Sequence, residues 1–169
     1  RGSRGEASVS GARGRRADML RLVADRLGLP ELSRVVEQPG INEAYRLTVR
    51  YHDGRHPDQV ATLTHAQDGT VWLEVVYRRS HHQPAFEYLL DADRYRSFDV
   101  AMRRLAFDRL DDQPGVPYLG VDLWLIERAA GSYRHDVVLA PALADGVYGW
   151  LVDTVKERLP QAIRAIQPD

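Results

Sequence analysis

The stretch that most constrains the fold is Gly120 to Pro141, GVDLWLIERAAGSYRHDVVLAP, which has the pattern of a long β-hairpin. Its first arm is apolar on both parities: Val121, Leu123 and Leu125 on one, Trp124 and Ile126 on the other. A strand that is apolar on both faces must be covered twice, so the hairpin is expected at the centre of a sheet. A turn at Ala130-Gly131 sets Glu127 opposite Arg134 as a cross-strand ion pair.

The rest of the chain supplies the partners of that hairpin. Tyr45, Leu47, Val49 and Tyr51 alternate with Arg46, Thr48, Arg50 and His52, as in a half-buried strand. Residues 60–66 and 71–79 flank Asp68-Gly69, a two-residue turn signal that sets His65 opposite Trp72. Residues 85–90 make a fourth strand, with Pro84 tolerated at its start. Helical stripes precede and follow: Leu20, Val23 and Leu27 after a cap at Asp18, a short segment at 31–38, Tyr95, Phe98, Met102 and Leu105 after Asp91 or Asp93, and Val147, Leu151, Val155 and Leu159 before Pro160. The expected fold class is α+β: a mainly antiparallel sheet of about six strands, a four-stranded meander plus the central hairpin, with helices mostly on one face.

Residues 17–169 form one domain on this reading, and 1–16 a disordered basic tail in which Arg1, Arg4, Arg13, Arg15 and Arg16 face a single acid, Glu6. The tail arginines are candidate phosphate contacts, so nucleic acid is a candidate partner there. No aromatic interleaves with them, and with no base-stacking platform a solvating extension is favoured. With no cysteine in the chain, disulfides and thiolate chemistry are out of reach. No apolar run approaches the ~20 residues of a membrane span. The cytoplasm is the favoured compartment, and a start at Arg1 leaves room for a cleaved signal.

Polar residues suggest two candidate sites. His52, Asp53, His56 and Asp58 place four metal-type ligands within one short loop, at a spacing that matches no strong motif and is also ordinary turn chemistry. Asp122 and His135 share a face of the hairpin but lie about 13 Å apart at ~3.3 Å per residue, so neither can complete a site with the other. Asp122 is expected to take an arginine from the helix after residue 91 (Arg94, Arg103 or Arg104), and His135 to be a packed histidine. No nucleophile elbow, phosphate loop, dinucleotide glycine pattern or His-Glu-x-x-His occurs, so no catalytic residue and no cofactor is assigned.

The last helix carries the stronger signal. Val147, Tyr148, Trp150 and Leu151 make it apolar nearly all round, beyond what one buried stripe requires. Aromatics of this kind are enriched at binding hot spots, while burial deep in the fold is the alternative and favoured reading of such a helix. The expectation is a non-catalytic binding or assembly module, self-associating as a homo-oligomer or joined to a protein partner, with these four residues in the contact. The alternatives are a small enzyme or metal-binding protein whose site is assembled from distant residues, and a nucleic-acid accessory protein using the tail.

Overall fold

Alternation carries the chain from Ile41 to Leu90 through four antiparallel strands: β1 (Ile41–Arg50), β2 (Gln59–Ala66), β3 (Val71–Tyr77) and β4 (Ala85–Leu90). β5 (Leu123–Ala130) and β6 (Tyr133–Leu139) form the long hairpin, and β5 pairs with β1. The computed structural model describes residues 4–169, with side chains described from residue 14 onward. Among the described residues there is one six-stranded antiparallel sheet in the order β4-β3-β2-β1-β5-β6. Four α-helices join it: α1 (Arg4–Arg26), α2 (Leu32–Glu37), α3 (Ala92–Arg104) and α4 (Gly146–Arg158). The fold class is α+β.

The helices divide between the two faces of the sheet rather than gathering mostly on one. Tyr95, Phe98 and Met102 of α3 and Leu151, Val152 and Val155 of α4 pack on Tyr45, Leu47, Leu63, Leu73, Trp124 and Ile126. On the opposite face Leu20 meets Leu125 and Val138, while Val23 and Leu27 meet Val60 and Val76. Beside them, α2 covers Ala44 and Ala129 with Leu32, Val35 and Val36. Coverage from both sides explains why β5 is apolar on both parities, although it lies second from one edge. β1 and β2 hold the centre.

Both hairpin registers differ from the expected ones, for local reasons. In β5–β6, Ala130 pairs with Tyr133, so the loop is Gly131-Ser132, with Gly131 at φ +57. Glu127 therefore faces Asp136, not Arg134. Two carboxylates directly opposite repel, and Arg21 of α1 bridges them by pairing with both. Between β2 and β3 the loop is three residues, Gln67-Asp68-Gly69, closed by a hydrogen bond from the Ala66 amide to the Thr70 carbonyl at 2.8 Å. Gly69 sits at φ +91, a conformation open to glycine. The longer loop moves the register by one and sets Leu63 against Leu73 in the core.

Asp18 lies inside α1 instead of capping it, since the helix starts upstream. Arg16 donates to the Val116 carbonyl at 2.6 Å and lies over the Tyr118 ring, and Ala17 is buried against β5 and β6. The folded part thus reaches back at least to Arg16. Of the expected tail contacts, Arg1 and the side chains of Arg4 and Arg13 lie outside the described residues.

The two edges of the sheet are treated differently. The segment 110–113 runs along β6: the Gln113 amide donates to the Val138 carbonyl at 2.9 Å, and Asp112 Oδ1 accepts from the Val138 amide at 2.8 Å. Gln113 Oε1 takes the Ala140 amide at 2.9 Å, and its Nε2 donates to the Leu143 carbonyl at 2.9 Å. At the other edge, among the described residues, β4 pairs with β3 alone.

Candidate functional site

The β1–β5 pairing places Arg50 beside Leu123, so the loop leaving β1 begins next to Asp122. That loop turns at Gly54 (φ +68) and brings His52 and Arg55 onto the carboxylate. The His52 amide donates to Asp122 Oδ1 at 3.1 Å, and His52 Nδ1 lies 2.8 Å from the same oxygen. Arg55 forks across both Asp122 oxygens and also reaches Asp53 Oδ1 at 2.8 Å. The Arg55 guanidinium, helped by His52, holds the Asp122 carboxyl down at about 2. Its partner therefore comes from the 51–58 loop and not from Arg94, Arg103 or Arg104 of α3.

This cluster joins two groups that are separate in sequence, but only in part. His52, Asp53 and Asp122 can offer ligand atoms within 4.8 Å of one another. His56 instead turns its Nδ1 to the Ile166 carbonyl at 3.0 Å and its ring to Tyr51, and Asp58 accepts the Tyr51 amide at 3.0 Å. The expected four-ligand set is thus split. A guanidinium already neutralises the remaining three-residue cluster, so a metal ion would have to displace Arg55 from both carboxylates. His135 is packed as expected: its Nε2 lies 2.8 Å from the Leu110 carbonyl and its ring stands edge-on to Phe107. The observed register pairs it with Arg128, six residues along β5 from Asp122.

A second polar site was not anticipated. Between α1, α2 and the sheet lies a cleft of about 520 Å³ lined by Arg21, Asp25, Glu31, Arg46, Glu127 and Asp136, among others. Arg46, 3% exposed, donates to Thr62 Oγ1 at 3.0 Å and to the Pro30 carbonyl at 2.7 Å. Burial pulls its pKa below the ordinary arginine value, offset in part by Glu127 and Glu74. Burial likewise pushes the Glu127 carboxyl above the usual range, against the pull of Arg21 at 2.9 Å. These groups neutralise one another across the layers and tie α1 and the α1–α2 connection to the sheet.

The third site lies on the outer surface of the α3–α4 layer. Trp150 is 66% exposed and lines a groove of about 570 Å³ with Val100, Leu105 and Thr154, rimmed by Arg96, Arg104 and Arg158. The four expected interface residues separate here. Leu151 is fully buried and belongs to the core, because it lies on the stripe that packs against the sheet. Val147 and Tyr148 are half-buried, and the Tyr148 hydroxyl donates to the carbonyls of Asp111 and Asp112 at 2.6 and 3.0 Å. Trp150 alone of the four stands out into solvent. No known family model matches this sequence, and no curated protein does.

Proposed function

We propose that this chain is a non-catalytic binding or assembly module that self-associates through its folded domain. The observation that carries this reading is Trp150, a large aromatic held two-thirds exposed on a helix whose other face is locked into the core. A rigid, exposed indole beside an apolar groove has the chemistry of an interface anchor. The polar clusters fit the reading too: at the strand end and in the α1–α2 cleft, carboxylates are tied to guanidinium groups as structural pairs.

Light scattering after gel filtration, at low and high salt, tests it. The expected result is a mass above 19.2 kDa that persists in high salt and in a chain shortened to begin at Gly14, which keeps Arg16 and Ala17 in place. A monomer under all these conditions overturns the reading.

A further inference from the structure

We infer that the chain forms a closed two-fold dimer through β4, the two copies pairing antiparallel about Tyr88 into one continuous sheet. The inference rests on the self-association reading and places the contact at β4, a surface separate from the Trp150 groove.

The first support is the state of the two edges. On β6 the outward amide and carbonyl of Val138, and the Ala140 amide just past the strand, are taken up by Asp112 and Gln113, whereas among the described residues β4 pairs on one side only over its whole length. Natural sheets usually blunt such an edge with lysine, proline or a covering segment. β4, AFEYLL, instead presents Leu89 at 79% exposure and Phe86 at 47%. With the end of β6 closed and all of β4 open, the longest pairing available is that of β4 with another β4, and such a contact is isologous.

The geometry then narrows the register. A two-fold axis normal to the sheet keeps like faces together, so it must pass through a residue rather than between two. Centred on Glu87, it would set two carboxylates directly opposite, which is unfavourable. Centred on Tyr88, it sets Tyr88 against the partner's Tyr88 and Phe86 against the partner's Leu90. All three belong to the face that carries α3, where Leu90 and Tyr88 already adjoin the core and Phe86 stands edge-on to Tyr77. On the other face Leu89 lies over the partner's Glu87, covering the carboxylate stem.

Because the chain has no cysteine, a single introduced thiol reports the contact cleanly. Directly opposed residues of antiparallel strands have Cα atoms about 4.5–5.5 Å apart, within the disulfide range. Full-length Tyr88→Cys, oxidised mildly, is expected to give a reducible covalent dimer, while Ser132→Cys at the opposite hairpin gives none. Leu89→Lys, a solvent-exposed change that leaves the fold intact, is expected to reduce the light-scattering mass to the monomer. If the unmodified chain is larger than a monomer, yet Tyr88→Cys does not cross-link and Leu89→Lys does not alter the mass, the β4 inference is overturned and assembly through another surface stands. A monomeric unmodified chain overturns both.

Discussion

Asp122 shows how one residue's setting becomes a measurable property. Its carboxyl, held down at about 2 by Arg55, is ionised well below the ~3.9 of a free aspartate. A depressed carboxyl pKa stabilises the fold fully above the unfolded value, and that contribution is lost as pH falls from about 4 toward 2. The expected outcome for Arg55→Ala is a carboxyl that titrates higher than in the parent, followed by NMR, and an acid limb of stability flattened over the same window. Glu127 behaves in the opposite sense. Arg21→Ala would leave it buried opposite Asp136, raise its pKa further and cost about 2 kcal/mol at neutral pH. The deficit should grow as pH rises above ~4.3, because the native state then retains a proton that the unfolded chain has released; urea melts at several pH values measure this. Of these partnerships the sequence disclosed little. That Asp122 would need a cation was legible from its apolar neighbours, but which arginine supplies it depended on the path of the 51–58 loop. Arg46 and Arg50 share a parity, and nothing local marks Arg46 as the buried one; the roof that α2 and Pro30 place over it comes from elsewhere in the chain.

Elements were more legible than residues, because periodicity is local and turn lengths are nearly so. The four strands of the meander, α2, α3 and the stop of α4 before Pro160 all follow from alternation, stripes and breakers. Asp91 caps α3 by accepting the Arg94 amide at 2.7 Å. The β2–β3 pairing was misjudged by one residue because Asp-Gly signals a turn without fixing its length, and the β5–β6 pairing by two because the two-residue loop lies one position later, at Gly131-Ser132. The run Asp111-Asp112-Gln113-Pro114-Gly115 carries no helix or strand pattern, yet it supplies the hydrogen bonds that cover Val138 and Ala140 at the end of β6. Gln113→Ala removes an acceptor from the Ala140 amide and a donor from the Leu143 carbonyl. The expected cost is about 2 kcal/mol, with faster amide exchange at Ala140 while the amides of the central strands β1 and β2 hold their protection. Uniform loss of protection across the sheet would instead mean that the segment is needed for the fold as a whole.

At the scale of the molecule, α+β character followed from the order of elements, whereas the distribution of helices over two faces did not. Sequence stripes show that a helix has an apolar side, not which side of a sheet it seeks; the answer lay in β5, whose two apolar parities required cover above and below. The partly covered β6 edge has a further consequence for what the protein avoids. A sheet open at one border can be extended once and then stops, whereas a sheet open at both can be extended without limit. Gln113 and Asp112 close the Val138 end of β6 and so shorten the border left open there, and the chemistry that opposes growth at that end resides in one amide and one carboxylate on an irregular segment. A protein stripped of that guard would be expected to be more prone to concentration-dependent polymerisation.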